Sequence, residues 1–230
     1  MAQEGFLYEE NAYKALQKYK ISIGGTAGAS HDKPDLTITR PGKRTAGCEL
    51  KNQPTAAGSL VLQYYDEEWH FGPTGDNPEK EFIRNIGMKM NALKIMNDKK
   101  KVPCLQYIDG KKTYVGVETY RDGYQRDLKS FGNTYIDVPN KIISDYYNTK
   151  KCYYLNVGTH GFFLLNGSDP LGLQNALQKK NLQSIPDFSS AASAKTQIRI
   201  RVQYKSGAYQ FTFSFQFGSV MNSSRCQIGT

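Results

Sequence analysis

Between Pro34 and Lys51 the chain reads PDLTITRPGKRTAGCELK, and this stretch constrains the fold more than any other. Residues Asp35 to Thr39 alternate, PGKR supplies a turn, and Thr45 to Lys51 continue as a second strand, so a β-hairpin is predicted. A turn centred on Gly42 sets Asp35 across from Glu49. Side chains two apart on a strand share a face, so Glu49 and Lys51 point together while Leu50 packs behind them. Three charged groups then converge on a ribbon where burying charge is costly. Two carboxylates within a few ångströms of each other repel, and the arrangement is stable mainly when a cation sits between them.

The elements around the hairpin follow from periodicity. Ala12, Ala15, Leu16 and Tyr19 recur at helical spacing and predict a helix from Glu4 to about Tyr19, with Glu9 on its inward side and Glu10 toward solvent. IGGTAGASHDK, with Gly24, Gly25 and Gly28, predicts a loop whose backbone lies close to something bulky. Ser59 is expected to cap a helix through Tyr65, and WHFGPTGDNP reads as a turn-rich insertion. Ile83, Ile86, Met90 and Leu93 form the stripe of a helix from Glu81 to Asp98. VPCLQYI and YVGVETY are expected strands, Lys141 to Tyr147 a short helix, and CYYLNVG and GFFLLN a strand pair around Thr159-His160. Residues 166 to 195 read as a surface linker. In the last hairpin Ile198, Ile200, Val202 and Tyr204 face one way and Arg199, Arg201, Gln203 and Lys205 the other, with YQFTFSFQF as partner strand. The expected division is a core over 1–120 with an insertion near 54–80, and a β-rich extension over 121–230.

Composition narrows the partner. Thirty Lys and Arg against 21 Asp and Glu give a formal charge of +9, which favours a polyanion, since cations that neutralise phosphates release counterions. Lysine doublets and one triplet, scattered rather than run together as a tail, point to a folded cationic face. Cys48, Cys104, Cys152 and Cys226 include no CxxC pair, so reduced thiols are expected rather than a zinc site or a disulfide framework. No apolar run approaches the about 18 residues of a membrane span, and the N-terminus lacks a signal-peptide layout. A cytoplasmic protein of a bacterial, archaeal or phage-infected cell, with no membrane partner, is the expectation.

Magnesium suits the hairpin's charges, because it takes hard oxygen ligands, keeps several waters and completes its shell with substrate phosphate oxygens. Asp35, Glu49 and the Leu50 carbonyl supply the protein share. Lys51 beside the metal would hold a water in line with a phosphodiester phosphorus and offset the developing charge. The competing reading is a surface hairpin whose Glu and Lys only solvate an edge.

Glu9 on the first helix, then Pro34-Asp35, then Glu49-Leu50-Lys51 resembles the PD-(D/E)XK nuclease superfamily. The order GFLYEENAYKALQKY, TAGAS, PDL, CELK and NALKIMNDKKKVPCLQY is most similar to its archaeal Holliday junction resolvase branch, over roughly residues 5 to 108. The resemblance implies an α/β fold with a restriction-endonuclease-like core, a central mixed β-sheet flanked by helices, extended by a β-rich C-terminal region. It implies magnesium-dependent hydrolysis of DNA, manganese able to substitute, with Asp35, Glu49 and Glu9 at the metal and Lys51 on the water. For Glu9 an ion pair with Lys51 is the alternative. Ser30 would match a loop serine of the resolvases, and Gln63 a glutamine that orients the lysine or a phosphate. The chain departs from the resolvases at Gly24-Gly25, where they carry a basic residue, in the 54–80 insertion, and in continuing beyond the core. That length fits a phage-type or restriction-type endonuclease. Junction resolution, exonuclease action and a DNA-binding protein without cleavage remain alternatives.

DNA is the expected partner, and a homodimer is expected if both strands are cut, because one site cuts one strand. The Arg199, Arg201 and Lys205 face is the candidate to track phosphates, or else an ordinary solvated face. Tyr64-Tyr65, Tyr146-Tyr147 and Tyr153-Tyr154 offer rings for unpaired bases, or serve as core edge. His31 and His160 lack partners at catalytic spacing.

Overall fold

The computed structural model describes residues 2–18, 22–26, 33–52, 56–176, 185–190, 192, 194–205 and 207–220. In chain order the elements are α1 (Ala2–Lys18), β1 (Ser22–Thr26), β2 (Leu36–Thr39), β3 (Ala46–Lys51), β4 (Ala56–Tyr65), β5 (Glu68–Phe71), α2 (Pro78–Lys89) and α3 (Ala92–Asn97). They continue with β6 (Leu105–Ile108), β7 (Lys111–Tyr114), α4 (Tyr120–Phe131), β8 (Asn133–Val138), α5 (Lys141–Thr149), β9 (Cys152–Val157) and β10 (Gly161–Leu164). Then come α6 (Leu173–Ala176), β11 (Ala194–Lys205) and β12 (Ala208–Val220). The fold is α/β: two five-stranded sheets, ordered β1-β2-β3-β9-β10 and β5-β4-β12-β11-β8, a β6-β7 ribbon, and flanking helices.

The chain divides into two units, 1–55 with 138–196 and 217–230, and 56–137 with 197–216. The expected cut near residue 120 is replaced by this interleaved division, because the last long hairpin belongs mostly to the unit begun by β4 rather than to an appended domain.

In the first unit the sheet is mixed. β1, β2 and β3 run antiparallel in turn, β3 pairs β9 in parallel, and β10 returns antiparallel. Leu36, Ile38, Cys48 and Leu50 form one face, buried against Tyr8, Ala12 and Leu16 of α1 and joined by Tyr154 and Phe162. Gly24 and Gly25 lie within β1 rather than in the expected loop, for the pairing with Thr37 carries the chain through them. Asp169 accepts the Tyr154 hydroxyl at 2.6 Å and the backbone N–H groups of Leu173 and Gln174 at 2.8 and 3.0 Å, which starts α6. Part of the expected linker is therefore ordered by one carboxylate.

In the second unit the expected Ser59–Tyr65 helix is strand β4. Leu60, Leu62 and Tyr64 are buried while their neighbours are not, and this period of two outweighs the capping serine. The expected Glu81–Asp98 helix starts earlier and breaks. Asn77 caps it by accepting the Lys80 N–H at 3.1 Å, Pro78 takes the first turn, and Asn91 at φ 53° separates α2 from α3. YVGVETY is not one strand: β7 ends at Tyr114 and α4 begins at Tyr120, capped by Thr119 accepting the Asp122 N–H at 3.2 Å. The alternation of β12 puts Phe211 and Phe213 against Trp69 and Phe71, edge to face at 4.6 and 5.5 Å. Asp127, buried on α4, accepts the N–H groups of Cys104 and Leu105 at 2.8 and 3.1 Å and the Tyr209 hydroxyl at 2.7 Å. Tyr204, expected inside, is 46% exposed at the end of β11.

Gly47 on β3 sits where the parallel partner comes closest. A Cβ there would meet the Lys151 carbonyl at 2.6 Å and Pro34 at 2.7 Å. Gly47→Ala is therefore expected to cost about 1–3 kcal/mol, as overpacked sites do. Urea unfolding checks this: an unchanged midpoint would mean that β3 and β9 part without cost.

Candidate active site

The hairpin turn closes on Gly42 at φ +72°, a backbone region glycine enters freely. β2 and β3 then pair Leu36 with Cys48, so that Asp35, one step further out, stands beside Glu49. Directly opposed residues of an antiparallel pair project from the same face. That face is the reverse of the one Leu36, Cys48 and Leu50 bury against α1.

Glu49 is only 1% exposed. Its Oε1 lies 2.8 Å from Lys51 Nζ, so the carboxylate is held by its own strand neighbour two positions along. Its Oε2 faces the Cys152 thiol at 3.9 Å. Cys152 reaches it because the β3/β9 register steps from Gly47↔Cys152 to Cys48↔Tyr154, one extra residue on β9. Such a bulge turns a side chain to the other face. Asp35 Oδ2 accepts the Leu50 N–H at 2.8 Å, which ties the residue before β2 to the middle of β3.

The electrostatics follow from crowding. Burial first, and then Glu49, push the Asp35 carboxyl up to about 6, against the pull of Lys51 and of the Leu50 N–H. The same two causes raise Glu9 on α1, with Lys51 opposing. Burial and the negative charge of Glu49 hold the Cys152 thiol protonated. Lys51 Nζ also stands 5.7 Å from the centre of the Tyr147 ring on α5, and Lys150 Nζ is 5.9 Å from that ring and 5.4 Å from that of Tyr146. Behind the hairpin Tyr8 of α1 donates to the buried Asn156 of β9, next to Leu50 in register.

Two carboxylates on one face, one of them driven toward protonation by its burial and by the charge of the other, make a place where added positive charge is favourable. Hard oxygen donors of this kind, completed by water, fit magnesium. Among the described residues no three His, Cys, Asp or Glu side chains gather as a ready cage.

The structure thus brings Asp35, Glu49 and Lys51 together, with Glu9 close enough for Glu49 to shift it. Ser30 and His31 lie outside the described residues, as does Cys226. Cys48, Cys104 and Cys152 are buried free thiols. Gln63, expected on a helix after the lysine, is on β4 opposite His70 and hydrogen-bonds Tyr107 in the second unit. Arg199, Arg201 and Lys205 lie on β11 in the same unit. Tyr146, Tyr147 and Tyr154 are fully buried and Tyr64 nearly so, while Tyr65 stacks on His70 at 3.8 Å. Of the tyrosine pairs, Tyr153 keeps an open ring. Cys152, Tyr147 and Lys150 are neighbours the motif does not name: the bulge behind Cys152 has no sequence signal, whereas adjacent tyrosines and a lysine at a helix end were a visible one.

No family model matches the chain, and no curated protein matches it. Among solved structures, HhaI endonuclease in complex with DNA is similar with a TM-score of 0.36 and 13% identity, over 91% of this chain and 88% of that one. A likeness of this size leaves the chain's own geometry to carry the functional reading. No described helix is long and apolar enough to cross a membrane.

The raised Asp35 value has a consequence for metal-free protein. With a folded pKa near 6 against an ordinary 3.8, Asp35 favours folding fully below about pH 4, and the contribution is lost as pH rises to 6. The loss is on the order of 3 kcal/mol. Asp35→Asn is expected to flatten this part of the profile, measured by urea unfolding in EDTA between pH 4 and 7. Parallel profiles for the two proteins would contradict it.

Proposed function

We propose that the chain is a magnesium-dependent endodeoxyribonuclease of phage or restriction type. The observation that supports this is the meeting of Asp35, buried Glu49 and Lys51 on one face of the hairpin, with Lys51 Nζ 2.8 Å from Glu49 Oε1. In this reading Asp35, Glu49 and the Leu50 carbonyl hold the ion, Glu9 joins directly or through water, and manganese can substitute. Bound there, magnesium would supply charge to the scissile phosphate and acidify a water.

The chain's own groups do the rest. Glu49 keeps the Lys51 ammonium at the sheet surface, where it orients the attacking water and offsets negative charge on the phosphate. The Tyr147 ring backs that ammonium from α5, a contact favourable to a cation. The Leu50 N–H fixes one Asp35 oxygen and leaves the other for a ligand. Two-fold pairing of chains would bring a second site to the complementary strand.

Supercoiled plasmid, linear duplex and a four-way junction, assayed side by side with magnesium, test the reading and sort its substrates. Plasmid cleavage is expected, and Glu49→Gln and Lys51→Ala are each expected to lower the rate by about 10²-fold or more. If the wild type binds all three and cuts none with either metal, the chain is a DNA-binding protein and not a nuclease.

A further inference from the structure

β11 carries a strict alternation in which Ile198, Ile200 and Val202 are buried and Arg199, Arg201 and Gln203 face the other way. The polar neighbours on that face are occupied with one another. Gln197 Nε2 donates to Asp137 Oδ1 of β8 at 2.7 Å, the Ser214 hydroxyl donates to the Arg199 carbonyl at 3.3 Å, and Thr212 and Gln203 meet at 3.5 Å. The two arginines are the exception. Both are half-buried, the Nε of each is shut off from solvent without an acceptor, and among the described residues neither forms an ion pair. Three arginines elsewhere find acceptors: Arg40 donates to the Leu171 and Gly172 carbonyls at 2.7 and 2.8 Å, Arg84 pairs with Glu81 at 2.6 Å, and Arg126 donates to the Gly116 carbonyl at 3.0 Å.

Placing two guanidinium groups side by side, partly desolvated and without a carboxylate, is unfavourable unless an anion completes them. We propose that Arg199 and Arg201 form a phosphate grip that takes the backbone of bound DNA. Residues two apart on a strand stand about 6.7 Å apart, which presents two separate cations to successive phosphates rather than one fork to a single group. Burial and the charge of Arg199 both push the Arg201 guanidinium down, the direction expected of a cation waiting for a counter-charge. Lys205 continues the row, exposed at the end of the strand. The proposal rests on DNA being the partner and adds where unit 56–137 with 197–216 would hold it.

The test is binding without cleavage. Affinity for a linear duplex is measured in EDTA over a range of salt concentrations for the wild type, Arg199→Gln/Arg201→Gln and Arg199→Lys/Arg201→Lys. Each lost phosphate contact lowers the salt slope by about 0.9, so the Gln double variant should drop by about 2 while the Lys variant keeps the slope. An unchanged slope in the Gln variant overturns the grip. So does stabilisation of the wild type by millimolar inorganic phosphate, absent from the Gln variant and accompanied by an unchanged slope, which would assign the pair to a free anion. Thermal midpoints confirm that the variants fold, and should Arg199→Gln/Arg201→Gln not fold, the two single Gln variants are each expected to lose about 1 from the slope. Nuclease activity is scored separately. A wild type that never cuts DNA but loses slope with the arginines removes the nuclease reading and leaves the grip standing, and cleavage with an unchanged slope does the reverse.

Discussion

Glu49 is a carboxylate with almost no contact with solvent, and its burial sets the terms for everything around it. An ionised group in that position has to be paired, and the nearest cation is Lys51, two residues along the same strand at 2.8 Å. That pairing fixes the lysine at the sheet surface. It also leaves Asp35, across the hairpin, facing a negative charge that Lys51 has only partly offset, and this charge adds to Asp35's own burial, the larger cause, in pushing its carboxyl up to about 6. The three side chains are one electrostatic unit, and in the proposed reading a divalent cation would relieve what the lysine leaves over.

The geometry that delivers this unit depends on small features of the backbone. Gly42 lets the hairpin turn, so that Asp35 and Glu49 stand together. Gly47 lets β9 approach β3 in parallel, with the Lys151 carbonyl accepting the Gly47 N–H at 3.2 Å. The extra residue beside Gly47 in β9 turns Cys152 toward Glu49 and keeps Asn156 on the other face for Tyr8. The site is thus built on strand pairings, with α1 behind one face and the Tyr147 ring of α5 against the other. Strands hold side chains more precisely than loops do.

The hairpin and its charged triad were legible because they depend on period-two alternation and one turn, both local. The terminal hairpin was legible for the same reason, down to which residues of β11 face outward, with Tyr204 at the strand's end the exception. What misled was local chemistry overruled by pairing. Ser59 looks like a helix cap, yet Leu60, Leu62 and Tyr64 are buried in alternation in β4 between β5 and β12. Gly24 and Gly25 look like a loop, yet both lie in the edge strand β1, where Gly24 pairs with Thr37 and the register steps past Gly25 to pair Thr26 with Leu36. The helix from Glu81 looked continuous because its apolar stripe of Ile83, Ile86, Met90 and Leu93 runs straight past Asn91, although asparagine is one of the few residues that readily enter the left-handed backbone region that separates α2 from α3. The interleaving of the two units had no sequence signal, since it depends on which distant strands β4 and β9 choose as partners. The neighbours of the triad, Cys152 and Tyr147, come from beyond residue 140 and meet it only through the parallel β3/β9 pairing.

The central claim is that the face shared by Asp35 and Glu49 takes a divalent metal ion. Crystals grown with manganese and measured at a wavelength where it scatters anomalously locate the ion without reference to activity. An anomalous peak between the carboxylates of Asp35 and Glu49, with Lys51 still beside Glu49, is the predicted result. Fully soaked crystals with no peak there, or with manganese bound only elsewhere, would contradict it.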